Sequence, residues 1–349
     1  HNLDSTLADV HLGRTWHSWF MADLRTTRHR HAPNRLTQFV ALVGVTALAL
    51  VGCSRGASED TSTSAAPSQS AAAQCTPAKA ATTGSSTGKI EVDGTQRDYS
   101  INIPPSYDGV SALPLVLNLH GRGGNATQQL LLTGFDTSSD KNNFILVSPN
   151  AIGEQWDLPA VPGRATSDTT YITELLTSLE QRLCIDKTRL YAAGMSLGSV
   201  MTLALACAPN QSFAAFGGVG ASFYRPMCDR SPPAPLIYFH GTADPVVPFE
   251  GGKVAGSPAG SITARVNAAD ENMAAWANHN GCNPTPTVND LGDTARTIWS
   301  DCKNNANVDY YRIDDGGHTW PGANQLVSDF IEERLGKTTQ TVDATELMW

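Results

Sequence analysis

Five short runs of this chain are apolar almost without interruption: Leu115–Leu119, Phe144–Val147, Leu190–Ala193, Phe213–Val219 and Leu236–Phe239. A strand with one wet face alternates polar and apolar residues, whereas a strand covered on both faces need not. Runs of this length, separated by a stretch with helical spacing at Tyr171–Leu183, predict βα units wound into a mostly parallel sheet flanked by helices, an α/β architecture. Further helical patterns at Asn267–Asn278 and Gln325–Leu335, and a late strand at Val308–Ile313, continue the alternation. The chain closes on a helix-like pattern at Ala344–Trp349. Ahead of the first run, alternating residues on either side of Asp93-Gly94 predict a β-hairpin.

The N-terminal quarter reads differently. It is basic from Arg25 to Arg35, apolar and uncharged from Phe39 to Val51, and then runs Gly52-Cys53. An apolar run of about 13 residues is too short to span a ~30 Å hydrocarbon core but suits the hydrophobic region of a signal peptide. The small residue before Cys53 completes a pattern that resembles bacterial lipoprotein signals. That resemblance implies a diacylglycerol thioether on Cys53 and a protein held by its lipid at the outer face of the cell membrane, with a secreted fraction. Residues 1–20 are read as sequence upstream of a natural start at Met21, 21–52 as the signal peptide, 53–88 as a flexible Ser/Thr/Ala-rich tether and 89–349 as one catalytic domain. A secreted protein cut elsewhere, or one that keeps its N-terminal anchor, is the alternative.

The chain carries 24 Lys and Arg against 33 Asp and Glu, a net of −9, and the acidic excess grows once residues 1–52 are removed. Nucleic acid is therefore an improbable partner. Of seven cysteines, six remain beside Cys53, and an exported setting lets them form disulfides. Cys282 with Cys302 is the most credible pair, followed by Cys207 with Cys228 and Cys75 with Cys184. No Cys-x-x-Cys spacing points to a metal.

Chemistry enters at Gly194-Met195-Ser196-Leu197-Gly198, which follows a predicted strand and precedes a helix-prone run, Val200–Ala206. In that setting the motif is a nucleophile elbow, with Ser196 lifted above the sheet edge. A serine hydroxyl needs a base within reach, and beyond residue 53 the candidates are His120, His240, His279 and His318. Hydrolases built on such an elbow place the acid and then the histidine after the serine, which excludes His120 and His240. His279 ends a helical pattern and reads as structural. His318 lies in the glycine-bearing loop Asp314-Asp315-Gly316-Gly317-His318 and is the expected base. Asp244 follows the run Leu236–Phe239 and is the expected acid; Asp270, Asp314 and Asp315 are rivals, the first on a helix and the others crowding the histidine's own loop.

His120-Gly121-Arg122-Gly123-Gly124 follows the first buried run and matches a loop that supplies an oxyanion-hole amide, so the backbone N–H groups of Arg122 and Leu197 are the expected donors. No Gly-Lys-Ser/Thr ending supports a phosphate loop. Trp156 and Trp320 either line a substrate cleft or belong to the core.

Together the segments His120-Gly-Arg-Gly-Gly, Gly194-Met-Ser-Leu-Gly, His240-Gly-Thr-Ala-Asp244-Pro and Gly316-Gly-His318-Thr-Trp-Pro-Gly resemble the polyhydroxybutyrate depolymerase and feruloyl esterase family of α/β-hydrolases, in particular its lipoprotein members from mycobacteria and related actinobacteria. The resemblance covers Ile90 to the C-terminus. It implies hydrolysis of carboxylic esters (feruloyl, acetyl or short hydroxyalkanoate) on a small molecule, polysaccharide or polyester, by the triad Ser196, Asp244 and His318, with no metal or organic cofactor. A serine peptidase or an envelope-lipid acyltransferase would use the same motifs, and a non-catalytic carbohydrate-binding lipoprotein is the further alternative.

Overall fold

The computed structural model describes residues 73–160, 163–209, 212–223, 228, 231–256 and 265–349; the expected signal peptide and Cys53 lie outside them. Among these residues, β1 (Gly84–Val92) and β2 (Thr95–Ile103) form the predicted hairpin. Its two central residues, Asp93 and Gly94, both have positive φ (50° and 73°), which is what a two-residue turn matched to the strand twist requires. β3 (Leu113–Leu119), β4 (Ile145–Pro149), β5 (Ile185–Met195), β6 (Ala215–Val219) and β7 (Leu236–Gly241) follow from the apolar runs. β8 (Gly252–Lys253) and β9 (Arg265–Val266) form a separate antiparallel pair. β10 (Thr287–Asp290), β11 (Thr294–Trp299) and β12 (Val308–Ile313) complete the main sheet.

The order across that sheet is β1-β2-β4-β3-β5-β6-β7-β12-β11-β10. The six strands from β4 to β12 are mutually parallel, and the two at each edge are antiparallel. β11 and β12 are joined by a short connection, which can only return antiparallel, whereas β7 reaches β12 over a crossover that contains a helix. The exposed edge strand β10 lacks the apolar run that marks the centre and is absent from the sequence reading.

Helices α1 (Ala126–Thr133), α2 (Phe135–Asn142), α3 (Ser167–Arg182), α4 (Leu197–Ala206), α5 (Ala269–His279), α6 (Gln325–Leu335) and α7 (Ala344–Met348) cover the two faces. α3 starts on a reciprocal cap between Thr166 and Thr169, which satisfies two first-turn donors at once. α4 is buried at every position, and its two hydroxyls, on Ser199 and Thr202, donate to the carbonyls of Ala221 and Gly198. β3 shows why the central strands read as continuous apolar runs: Leu115, Leu117 and Leu119 join one core cluster with Tyr171, Leu175 and Met201, while Val116 joins the other with Phe135, Leu146 and Trp320. Helices α1 and α2 were not anticipated; they meet at Gly134, whose φ of 63° ends one and starts the other.

All three expected disulfides are formed: Cys75–Cys184, Cys207–Cys228 and Cys282–Cys302. The first corrects the extent of the tether, expected to run to Gly88. Residues from Ala73 onward lie against the domain, with Ala112 N–H donating to Ala73 O, Cys75 N–H to Val110 O and Lys79 N–H to Gly109 O, each at 2.8 Å, and β1 begins at Gly84. This segment has too few apolar residues to order itself, but a covalent link and strand pairing do so instead.

Candidate active site

At the carboxyl edge of a parallel sheet the strands end in loops that converge, and ligands bind there. Four such ends matter here, those of β3, β5, β7 and β12.

β5 ends at Met195 and α4 begins at Leu197, so the chain reverses within Ser196 alone. Ser196 has φ 55° and ψ −121°, a conformation that costs about 1–3 kcal/mol in a residue with a side chain and persists only where the surroundings enforce it. The enforcement is visible. Ser196 N–H donates to Val219 O at 2.8 Å, and the flanking glycines leave no room for a side chain: a Cβ on Gly194 would lie 2.5 Å from the Gly198 carbonyl carbon, and one on Gly198 would lie 2.1 Å from Leu119 O. The Gly-x-Ser-x-Gly spacing is thus a packing requirement of the turn. Ser196 is half-buried.

Asp244 lies just past β7 and is almost fully buried. Its Oδ1 accepts from the backbone N–H groups of Val246 and Val247, both at 2.8 Å, and its Oδ2 accepts from His318 Nδ1 at 2.7 Å. Burial by itself would raise the carboxyl pKa, but the His318 charge and hydrogen bonds from His240 and His318 outweigh it and hold the group well below the usual carboxylate range. The Asp244 bond defines the imidazole's orientation. Nδ1 carries the proton shared with Asp244, so in the neutral ring Nε2 is the acceptor.

The loop that carries His318 is braced from behind. Gly317 N–H donates to Lys337 O at 2.9 Å and His318 N–H to Leu335 O at 2.6 Å, so the end of α6 sets its height. On the other side the ring lies against Gly220, where a Cβ would sit 3.1 Å from both Nδ1 and Cε1. Gly220 directly follows Val219, whose carbonyl receives the Ser196 amide. Ser196, Asp244 and His318 thus gather at the ends of β5, β7 and β12 around the end of β6.

The loop after β3 closes the remaining side. A Cβ on Gly121 would be 3.3 Å from Ser196 Cβ. Gly123 N–H donates to Glu154 O at 2.8 Å and Gly124 N–H to Gly121 O at 3.1 Å, which fixes the turn that presents Arg122. Arg122 Nη1 reaches away to donate to Gly256 O at 2.6 Å. Leu197, the other expected donor, is the first residue of α4, where a backbone N–H has no intrahelical acceptor.

His120, excluded as the base, has a structural part. Its Nδ1 donates to Gly121 O at 2.7 Å while Nε2 accepts from Ala151 N–H at 3.1 Å, so the ring is neutral, and burial pushes its pKa down in accord. Trp156 and Trp320 are both buried and do not line a cleft: the Trp156 indole N–H donates to His120 O at 2.7 Å, and that of Trp320 to Thr345 Oγ1 at 3.0 Å. None of the rival acids is bonded to His318. Asp270 accepts from Tyr310 hydroxyl at 2.8 Å and Asp314 pairs with Arg312 at 3.1 Å, while Asp315 is exposed and its backbone N–H donates to Thr242 Oγ1 at 2.9 Å. His279 Nε2 donates to Ser231 O at 3.1 Å, in keeping with a structural role. One neighbour of the acid was missed altogether: His240 Nε2 is 3.4 Å from Asp244 Oδ2. Its position four residues before Asp244 was the available signal. Among the described residues no cluster of His, Cys, Asp and Glu could hold a metal ion.

No protein-family model matches the chain. It is 26% identical over 251 residues to feruloyl esterase B of Piromyces equi, a match covering 68% of this chain and 45% of that protein. It is also 26% identical over 239 residues to feruloyl esterase C of Emericella nidulans, covering 66% of this chain and 78% of that one. The first of these relatives is thus matched over less than half its length. Among solved structures, an acetyl xylan esterase from Aspergillus awamori superposes with a TM-score of 0.52 at 16% identity, over 70% of this chain and 97% of that one. That likeness concerns the fold, which is that of an α/β-hydrolase.

Proposed function

We propose that this chain, a member of the feruloyl esterase-like α/β-hydrolases, hydrolyses carboxylic esters through an acyl-enzyme on Ser196. The observation that carries the reading is the 2.7 Å bond from His318 Nδ1 to Asp244 Oδ2 at the sheet edge where Ser196 occupies its single-residue turn.

In this mechanism His318 Nε2 removes the Ser196 hydroxyl proton as Oγ attacks the ester carbonyl, and Asp244 stabilises the imidazolium that results. The carbonyl oxygen gains charge and is received by the backbone N–H groups of Arg122 and Leu197, each worth about 2.7–4 kcal/mol of barrier in comparable sites. His318 then passes its proton to the departing alcohol. Water, deprotonated by the same ring, releases the acid and restores Ser196.

The substrate we favour is a feruloyl, acetyl or short hydroxyalkanoate ester on a carbohydrate or related alcohol; the names of the matched relatives support that class. We also propose that the protein is exported and anchored through Cys53. The lipoprotein-like signal pattern ending at Cys53 supports this, and so do three disulfides in the described domain, which persist in oxidising surroundings.

A fluorophosphonate probe tests the nucleophile: labelling is expected in the native protein, absent in Ser196→Ala and strongly slowed in His318→Ala. Full labelling of Ser196→Ala overturns the assignment. A panel of acetylated sugar, feruloyl sugar, short-chain model esters and polyhydroxybutyrate then ranks substrates. Palmitate incorporation that persists in Cys53→Ala overturns the anchor.

A further inference from the structure

The triad acid is held by more than the triad. Its Oδ1 is saturated by two backbone amides, and its Oδ2 faces two histidines, His318 Nδ1 at 2.7 Å and His240 Nε2 at 3.4 Å. His240 is nearly fully buried and has no route to substrate of its own. Its hydrogen bonds select the tautomer of the neutral ring. Nε2 lies 3.0 Å from Val247 O, and a carbonyl only accepts, so Nε2 carries a proton. Nδ1, the acceptor of a neutral ring protonated at Nε2, lies 2.8 Å from the hydroxyl of Tyr238, which donates to it in that tautomer. Tyr238 is fully buried, and burial raises its pKa far above that of an ordinary phenol, so the donor does not ionise. The chain of bonds is directional: Tyr238 O–H to His240 Nδ1, then His240 Nε2–H toward Val247 O and Asp244 Oδ2. Each bond in such a chain polarises the next.

Neither residue belongs to the expected machinery, and His240 precedes the acid in the chain. Yet β7 places both on one face, two residues apart, directly behind the loop that bears Asp244. The ring of Phe249 meets His240 edge-on at 5.7 Å and Tyr310 flanks Tyr238 at 6.1 Å, so the pair is walled by aromatic groups. The ionisable groups facing His240 are Tyr238 and Asp244; Arg312 stands opposite it in register on β12, paired with Asp314.

We infer that His240, its tautomer set by Tyr238, is a positioning residue that acts through Asp244, turning Oδ2 toward His318 Nδ1 and keeping it there. This rests on the triad reading above. The role is distinct from filling space: what matters is an Nε2–H at one point.

Tyr238→Phe is the sharpest test, because it removes one hydroxyl and keeps the ring. With a soluble short-chain ester and the full chain, kcat is expected to fall about 2- to 12-fold, the equivalent of one hydrogen bond of ordinary net strength, with KM unchanged. In an Asp244→Asn background the same substitution should have no further effect, since its target is gone. His240→Gln, which can return an N–H near the Nε2 position, should retain more activity than His240→Leu, and this comparison stands if Tyr238→Phe folds poorly. An unchanged kcat in Tyr238→Phe, an equal loss in both backgrounds, or equal activity of the Gln and Leu variants overturns the inference. If Asp244→Asn itself turns over normally, the triad reading fails first and takes this one with it.

Discussion

Asp244 and His318, 74 residues apart in the chain, share a 2.7 Å hydrogen bond between Oδ2 and Nδ1 in an almost fully buried setting. One comes from the loop after β7 and the other from the loop after β12, and these are neighbouring parallel strands. The pair is adjacent because the sheet is parallel there: both strands end at the same edge. Had the register between β7 and β12 been antiparallel, the two loops would lie at opposite edges.

Replacing Asp244 by Asn keeps the size of the side chain but loses the charge and scrambles the imidazole tautomer. Turnover is expected to fall by about 10³- to 10⁴-fold, with fluorophosphonate labelling slowed in parallel. Steady-state kinetics and labelling on one preparation check both; a loss below tenfold sinks the role given to Asp244.

The same carboxylate makes a pH-dependent contribution to stability. Its folded pKa lies below that of an unfolded aspartate, so the stabilisation is complete above the unfolded value of about 3.9 and is lost as pH falls beneath it toward the folded value. Native protein should therefore melt above Asp244→Asn between about pH 5 and 7, and the gap should narrow steadily from about pH 4 downward. Thermal scans of both proteins across that range decide it. A gap independent of pH contradicts the assignment.

Trp156 is buried and reaches the loop after β3, the proposed oxyanion loop, through a single hydrogen bond, indole N–H to His120 O at 2.7 Å, with the two rings 4.9 Å apart. Trp156→Phe leaves that buried carbonyl without its donor, at a cost of about 1–3 kcal/mol. Because the carbonyl belongs to the loop that presents the Arg122 amide, kcat/KM should fall as well, by about tenfold or less. Calorimetry and ester hydrolysis separate the effects; a lowered melting temperature with unaltered kinetics shows that the loop does not depend on the tryptophan.

The Cys75–Cys184 disulfide ties the start of the domain to the beginning of β5 across 109 residues. A double Cys75→Ser, Cys184→Ser variant is expected to lose about 2–5 kcal/mol. Residues 73–83 should then become sensitive to protease as they are not in the native protein, while the site at the opposite end of β5 keeps its activity at low temperature. Limited proteolysis with mass mapping reads this directly.

Much of the centre was legible because it is local. A strand covered on both faces leaves a continuous apolar run, so β3 to β7 announced themselves, and an elbow one residue long leaves glycines at fixed spacing around Ser196. His318 and Asp244 followed from order along the chain and from glycine and proline in their loops. The misses share one cause. β10 is an exposed edge strand and β11 beside it is only partly covered, α1 and α2 are short helices hinged on Gly134, and residues 73–83 are held by pairing and a distant cysteine. None of them carries a strong period of its own.

The amino-acid order alone thus specifies the α/β alternation and the glycine-flanked turn at Ser196, which depend on neighbours within a few residues, and it offers His318 and Asp244 as the proposed base and acid through their order along the chain. Only the folded chain decides that Trp156 braces the loop after β3 as core rather than as cleft, and that His240 stands behind Asp244 with Tyr238 behind it. Those relations join residues through the strand register and the burial of both faces of the sheet, and burial is what turns a nearby polar group into a necessary partner.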